Sequence, residues 1–588
     1  MQSQSKEYAA SSFSCTQCRS KKLKCDRSRP SCGRCARFDG DCEYPQTRRL
    51  VVGRRQRVQE LEVKLDNLAR LARPDHNATQ ALDQQAGQSN RDPSGETFVT
   101  SLAPVPATSL SDATLVEVET LSGLIQTGLF EQRPSPAMVE FLTQSYFDKW
   151  HYTAPMIHHT SYLVSLDRPP HSGGPPMCLR YIIMAWGAEM VNTHRSLALP
   201  FYKRARVYAE TDELQTSNTL AHAQTWCLIC YFEAQYLLFT QSSMSICRAI
   251  RIGQIIGLHR IDELGDDDDV FLLPLPWLEL EERRRTWWAL FCSDRLVGGT
   301  AGWPVLIREH DISTRLPSSD AAFELGFEET TSTLMTALNQ SEPIYSPFAG
   351  RVLAASLFHE AFQHSNRLVS NEELDDPRTS PYWKRHREID NDLAILIQTL
   401  PDGLRLPKQI RCQNAIFVNA IIQTAIICLH RAALSKLKTS GLHEGMVRSS
   451  RSRLDCAAEA ILDTFRMMSD TNENLKNTIL VHSVYVASQV FLDDSSYPEE
   501  NHLRQDNLDF ILRIITLSAK AMNNPVTGSL AVQIALEMRI RGLNSVAVEQ
   551  AMELPLSRSL IPIFVKGGDP SSSFVFQLAS TSATPDET

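Results

Sequence analysis

Glycine (25) and proline (30) are not enriched in this chain, which excludes collagen-like and generally low-complexity architectures. Its first stretch, Met1–Phe13, is polar and has neither an apolar core nor a cleavage site, so nothing in it directs the chain to a secretory pathway. Long hydrophobic runs are scarce. The most apolar, Ile416–Leu429, is interrupted by Asn419, Gln423 and Thr424 and reads as too short to span a bilayer. A protein of a reducing compartment with no membrane partner is therefore expected, and there clustered cysteines favour metal over disulfides. The phosphate-cradling patterns G-x-G-x-x-G and G-x-x-x-x-G-K-[ST] and the nucleophile elbow G-x-S-x-G are also missing.

Apolar residues are plentiful, at 43% of 588 positions, enough to bury several times the surface that one small domain needs. The net charge of −9 argues against a polyanionic partner only until it is divided along the chain. Residues 1–73 carry 17 Lys+Arg against 8 Asp+Glu, a net +9, and the remainder carries −18. A basic head on an acidic body is the asymmetry expected when one end meets nucleic acid.

Six of the 14 cysteines, Cys15, Cys18, Cys25, Cys32, Cys35 and Cys42, lie within 28 residues. Their spacing is a duplication: Cys15-x2-Cys18-x6-Cys25 is followed by Cys32-x2-Cys35-x6-Cys42. Each half offers two sulfurs across a tight turn and a third beyond a short helix, an arrangement suited to tetrahedral zinc. Two separate tetrahedral sites need about eight ligand positions, and no histidine lies between residues 15 and 42 to help. Sharing two of the six sulfurs supplies the missing positions, so a binuclear cluster with two Zn²⁺ per chain uses every cysteine. The competing arrangement, three disulfides in a knot, belongs to secretory proteins.

The stretch resembles the DNA-binding module of the fungal zinc-binuclear-cluster (Zn2Cys6) transcription factors. Beyond the cysteines, Arg19, Lys21, Lys22, Lys24, Asp26 and Pro30 stand where the family pattern places such residues. The resemblance implies that Cys15 and Cys32 are the bridging ligands and that Pro30 shapes the turn between the halves. It further implies that Lys21 and Lys22, near the end of the first short helix, read a CGG-like triplet in double-stranded DNA. Lys can donate to guanine O6 and N7, although contact with phosphate alone is the alternative. Arg19, Lys24 and Arg27 are assigned to the DNA backbone. Charge supports this assignment, because six thiolates and two Zn²⁺ leave −2, which the eight Lys+Arg of residues 15–42 exceed even with three Asp counted against them.

After this module (15–44) comes a basic connector (45–57) and then Val58, Leu61, Leu65 and Leu68 at alternating spacings of 3 and 4, the a/d seam of a short coiled coil over 58–73. It spans little more than two heptads, and an amphipathic helix docked on its own chain is the alternative. The family usually dimerises here, so a homodimer is expected, with the connector setting half-site spacing. Residues 74–114, rich in Gln, Asn, Ser and Pro, read as a disordered linker, and 566–588 as a disordered tail.

From 115 to 555 helical periodicity dominates, which makes the expected architecture a small zinc-cluster domain, a short coiled coil and a large all-α body. Ile246, Ile250, Gly253 and Gly257 fall on one helical face, the glycines as close-packing positions, and Asp266–Asp269 reads as a solvated loop. The body resembles the fungal-specific transcription factor domain, the regulatory middle homology region. The resemblance rests on Tyr146-Phe147 through Pro155–His158, on Arg248–Arg251 with Gly257–Arg260, and on Glu282–Trp288 with Asp294-Arg295. Gly302-Trp303-Pro304 departs from it, since the family often has Arg between this Gly and Pro. Arg283, Arg284 and Arg285 invite comparison with a second nucleic-acid patch, but beside two tryptophans and near Glu281, Glu282 and Asp294 a structural role is favoured.

Enzyme signatures fail one by one. His359 and His364 are five residues apart, so on a helix the rings diverge by about 140°. Cys227-x2-Cys230 lies in an apolar run without a second pair and reads as core thiols. His158, His159 and His259 have no partners in sequence. No catalytic residue is assigned. The sequence therefore points to a nuclear, zinc-dependent regulator of RNA polymerase II genes that recruits the transcription machinery. Activation is the commoner behaviour in the family and secondary-metabolite gene clusters are a frequent target; a repressor, or an effector-responsive regulator of catabolic or stress genes, is the alternative. A zinc-based protein adaptor without DNA binding is the remote one.

Overall fold

Two units divide the chain, Met1–Ser109 and Leu110–Thr588, and each is described by itself. The structure is a computed structural model. It describes residues 14–15, 17–18, 24–28, 30–37, 42–43 and 134–554, apart from 216–217, 264–274, 299–303, 340–344, 368–378, 441–443, 469–474, 476, 494–500 and 523; the backbone of 561–563 and 575–577 is also described. The expected coiled coil, connector and linker, the Asp266–Asp269 loop, and Gly302 and Trp303 lie outside the described residues.

In the first unit the described residues are gathered around sulfur rather than hydrocarbon. Cys15, Cys18, Cys32 and Cys35 are buried, with Cys25 and Cys42 packed against them. One short helix, α1 (Gly33–Arg37), follows Cys32.

The second unit is built of helices whose starts are written in the sequence. Ser135 accepts the N–H of Met138 at 3.3 Å ahead of Pro136–Lys149 (α2). Then come His159–Leu166 (α3), Met177–Glu189 (α4), Ala198–Leu214 (α5), Leu220–Gln235 (α6), Phe239–Ile255 (α7) and Trp277–Ser293 (α8). Asp320–Leu325 (α9) and Leu334–Asn339 (α10) are short. Pro347–Asn366 (α11) begins behind Ser346, which accepts from Ala349 N–H at 3.0 Å, and Pro381–Thr399 (α12) behind Ser380. The remainder are Gln413–Ser440 (α13), Glu444–Arg466 (α14), Thr478–Leu492 (α15), Asn501–Met522 (α16), Pro525–Ile540 (α17) and Val546–Met552 (α18). A Ser or Asn acceptor followed by proline at the first helical position satisfies an orphan N–H and presets φ, which explains why so many starts have this form.

α4 packs against α2 and α5, and α6 against α7; farther along, α13 lies among α11, α12, α14 and α15. Among the described residues the main apolar core runs from Leu142 to Leu554, and Tyr382, Trp383, Ala433 and Leu437 form a smaller cluster of their own. The run around Ile416–Leu429 belongs to α13, where Gln413–Leu437 is long and apolar enough by length and composition to cross a membrane, a correction to the expectation from sequence. The polar residues that appeared to interrupt it bond back onto the backbone: Asn419 Nδ2 donates to Ala415 O at 2.8 Å and Thr424 Oγ1 to Ala420 O at 2.7 Å. The helix therefore runs on, and 89% of its apolar window is buried within the body.

Two further differences have local causes. Ile246, Ile250 and Gly253 do face the core, and a Cβ at Gly253 would stand 3.1 Å from Leu290 Cδ1. Gly257 packs nothing; it takes φ +76° and ends the helix in the left-handed region. In the tail expected to be disordered, Val575–Gln577 (β2) pairs antiparallel with Ile561–Ile563 (β1), Pro562 opposite Phe576.

Candidate metal centre and nucleic-acid interface

The two Cys-x2-Cys turns fold alike. The N–H of Cys18 donates to Cys15 Sγ at 3.4 Å, and the N–H of Cys35 donates to Cys32 Sγ at 3.4 Å. The first sulfur of each turn is thus held inward by the backbone of the second. Cys15 Sγ lies 3.8 Å from Cys32 Sγ, 3.8 Å from Cys35 Sγ and 3.9 Å from Cys25 Sγ, while Cys18 Sγ lies 3.7 Å from Cys32 Sγ. A disulfide needs about 2.05 Å, and all fourteen cysteines are free. The edge of a tetrahedron with Zn–S bonds of about 2.3 Å is about 3.8 Å, so the sulfurs are at zinc spacing.

They form two quartets, each with its sulfurs within 4.8 Å of one another: Cys15, Cys18, Cys25 and Cys32, and Cys15, Cys32, Cys35 and Cys42. Cys15 and Cys32 belong to both. Burial pushes the Cys15 and Cys18 thiols up, and hydrogen bonding with Cys32, then burial, pushes Cys35 up to about 12. Cys42, which burial would raise, is brought down to about 7 above all by the N–H of Cys32, 3.2 Å from its sulfur. Six sulfurs this close cannot all be thiolates without added positive charge, and two divalent cations supply it.

Asp26 is the residue whose role the sequence did not disclose. Its Oδ2 accepts the N–H of Gly33 at 2.9 Å and its Oδ1 that of Ser28 at 3.3 Å, bonds that hold its carboxyl below the usual range. It closes the loop between the two halves against the first turn of α1, beside Cys32. Arg27, next to it, adopts φ 63°. Of the predicted DNA-contacting residues, Lys24 and Arg27 are described, and both are exposed, as are Arg34 and Arg37. Arg19, Lys21 and Lys22 and the seam residues Val58, Leu61, Leu65 and Leu68 lie outside the described residues.

Comparison with known proteins agrees with this geometry. Residues 13–50 match the fungal Zn(2)-Cys(6) binuclear cluster domain, and residues 143–374 match the fungal specific transcription factor domain. The chain thus carries, in the same order, the two domains that characterise the fungal zinc-binuclear-cluster transcription factors. Members of this family bind DNA through the cluster, and the six cysteines bind two zinc ions. The chain is 26% identical over 492 residues to a pigment biosynthesis transcriptional activator of Monascus ruber, covering 78% of this chain and 82% of that protein. It is 26% identical over 489 residues to a citrinin biosynthesis transcriptional activator of Monascus purpureus (76% and 80% covered). With an asperfuranone cluster transcription factor of Emericella nidulans it shares 24% over 498 residues (66% and 74% covered). No solved structure matches the chain.

In the helical body the arginine run is structural. Arg285, 1% exposed, pairs with Glu281 at 3.1 Å and Asp320 at 2.9 Å, donates to the carbonyls of Pro155 and Ser318, and lies 4.3 Å over the Phe323 ring. Arg284 forks onto Asp262 at 2.6 and 3.0 Å. Only Arg283 reaches outward, to Glu279 at 3.2 Å. Two partners anticipated from proximity in sequence serve elsewhere: Glu282 accepts from Gln224 at 3.1 Å, and Asp294 takes the N–H groups of Leu306 and Ile307 together with Arg295. Asp294 thereby fastens the chain just after Pro304, the last residue of the segment that departs from the family pattern. His359 and His364 are buried, which pushes each down to about 4, and His364 stacks on Tyr382 at 4.3 Å. Cys227 and Cys230 are core thiols, Cys230 pushed by burial up to about 12.

Proposed function

We propose that this chain is a nuclear activator that binds paired CGG-like half-sites as a homodimer and drives a biosynthetic gene cluster through the RNA polymerase II machinery. The observation that carries the reading is the pair of sulfur quartets sharing Cys15 and Cys32, set in a segment whose described cations are exposed. In this reading Cys15 and Cys32 bridge the two zinc ions. The metals supply positive charge and fix the fold of residues 15–44; the base contacts come from Lys21 and Lys22. Arg19, Lys24 and Arg27 hold the phosphates, and Val58, Leu61, Leu65 and Leu68 form the dimer seam. The relatives named as activators of pigment and citrinin biosynthesis support activation and a secondary-metabolite target.

Selection of binding sites from random duplex DNA by the zinc-loaded full chain tests the reading. Enrichment of two CGG-like triplets at one spacing supports reader and dimer together. A single triplet keeps the reader and removes the seam, and no enrichment sends the reading to the adaptor alternative.

A further inference from the structure

The other place where metal-ligating side chains converge among the described residues is in the helical unit, far in sequence from the cysteine-rich module. Cys178 is the second residue of α4, Asp212 lies in the last turn of α5, and His222 is the third residue of α6. A thiol, a carboxylate and an imidazole from three helix ends therefore meet, with all three ligand atoms within 4.8 Å of one another. His222 Nε2 stands 3.2 Å from Asp212 Oδ2. That separation suits a shared hydrogen bond and equally the N···O edge, about 3.3 Å, of a tetrahedron around zinc.

The surroundings favour a cation. Cys178 and His222 are buried, and the Asp212 side chain is 26% exposed. The far nitrogen of the imidazole, Nδ1, lies 2.8 Å from Thr219 Oγ1, the partner a metal-ligating histidine needs to fix ring and tautomer. Without metal, Thr219 N–H donates to Nδ1 at 3.3 Å in the capping box and Nε2–H faces Asp212; zinc at Nε2 takes the other tautomer, with Nδ1–H turned to Thr219 Oγ1. Thr225 Oγ1 sits 3.5 Å from Cys178 Sγ. Burial pushes the Cys178 thiol up to about 12 and the Asp212 carboxylate adds to this, outweighing the first-turn N–H groups of α4, so a thiolate here needs a cation beside it. One thiolate and one carboxylate against Zn²⁺ leave no net charge, whereas either anion alone is costly in so covered a place. A cleft of about 950 Å³ opens beside the group, with Asp212, His222, Thr219 and Gln224 in its wall. Tyr162 also lines it, and its buried hydroxyl has no hydrogen-bond partner.

We propose that Cys178, Asp212 and His222 hold a third zinc ion in the helical unit, with water or a donor group from the cleft as the remaining ligand. Binding releases the Cys178 proton, as thiolate ligation requires. Three protein ligands and one exchangeable position is the coordination of an open zinc site rather than a closed structural one. An open site beside a cleft gives the regulatory unit a place where a thiol, carboxylate or hydroxamate ligand can be sensed.

Zinc per chain, measured by elemental analysis of the full-length protein after exhaustive dialysis, decides the matter independently of the cluster. The wild type should hold three zinc ions and Cys178→Ser or His222→Gln two, with DNA binding retained. Cys25→Ala, which removes the cluster, should keep one, and adding Cys178→Ser should remove it. Co²⁺ loaded into Cys25→Ala should give a thiolate-to-cobalt absorption band that Cys178→Ser abolishes. A wild type holding two ions, or a folded Cys178→Ser still holding three, overturns the proposal. Should His222→Gln fail to fold, the near-isosteric Cys178→Ser carries the decision.

Discussion

The carboxylate of Asp26 accepts the N–H of Gly33 at 2.9 Å, and a Cβ placed on Gly33 would stand 2.6 Å from that same oxygen. The two residues are seven apart and lie on opposite sides of the turn joining the two cysteine halves. Their contact holds the start of α1, and so Cys32, against the first half. Gly33→Ala should turn the carboxylate away, and Asp26→Ala should remove it. Either is expected to lower zinc affinity about tenfold, the smaller end of the effect usual for groups that orient metal ligands. Competition with a chelator measures this; unchanged affinity in both variants would show that the turn needs no such support.

Cys25→Ala takes a sulfur that belongs to one quartet only. The expected outcome is loss of the cluster zinc, unfolding of residues 15–44 and loss of specific DNA binding, because metal binding and folding are one event in so small a unit. Zinc content and an electrophoretic shift report both. Two zinc ions retained in the cluster with unaltered DNA affinity would reject the ligand set.

Lys24→Ala and Arg27→Ala test contact with phosphate. Each should weaken binding to all DNA sequences alike and lower the slope of log affinity against log salt by about 1. A loss confined to one base position would move that residue from backbone to base recognition.

The arginine run of α8 divides into buried and outward members. Arg285→Met leaves the buried Glu281 carboxylate with Arg284 at 3.6 Å and the Ser318 N–H at 2.8 Å, and should still destabilise the body by about 3 kcal/mol in thermal or denaturant unfolding. Arg283→Ala, whose partner Glu279 is exposed, should cost no more than about 1 kcal/mol. Arg283→Ala should also leave the salt dependence of DNA binding unchanged; a shallower slope would revive the nucleic-acid reading of this run.

Burial pushes six described histidines of the body down, His151 and His386 to about 3, His359, His364 and His482 to about 4, and His259 in the same direction. Unfolded, each titrates near 6.5, so as pH falls below that value the unfolded chain binds protons that the folded one does not. Stability should therefore drop as pH is lowered from about 6.5 toward 4, by up to about 1.4 kcal/mol per unit for each histidine. Glu282, raised by burial to about 7, acts in the opposite direction, as do Glu189, Glu233, Glu360 and Asp294, whose carboxyls burial also raises. A melting temperature that stays level or rises between pH 6.5 and 5 would show that the carboxyls prevail.

Much of the metal centre was legible because its chemistry is local. A Cys-x2-Cys turn brings two sulfurs together by backbone geometry alone, and counting six donors against eight positions gives two metals with two shared sulfurs. Helix starts such as Ser135-Pro136 and Ser346-Pro347 are local in the same sense, as is the helical period that marks the body. Reading Ile416–Leu429 as an isolated run failed because Asn419 and Thr424 satisfy their polar groups on the preceding turn, a bond that composition does not display. Gly257 failed likewise, since a glycine at helical spacing serves packing or termination according to a φ angle only the structure fixes.

What the sequence alone determined is the module, its metal and its stoichiometry, the basic head on an acidic body, and an all-α fold. Only tertiary structure decided that Cys15 and Cys32 lie in both quartets, that Asp26 caps the turn at Gly33, and that Arg285 reaches Asp320, 35 residues away. It alone brought Cys178, Asp212 and His222 to one point. The physical reason is the origin of the constraint. Spacing within a turn or a heptad is set by the backbone, while the meeting of side chains from separate helices is set by how apolar faces pack. No local pattern encodes that packing.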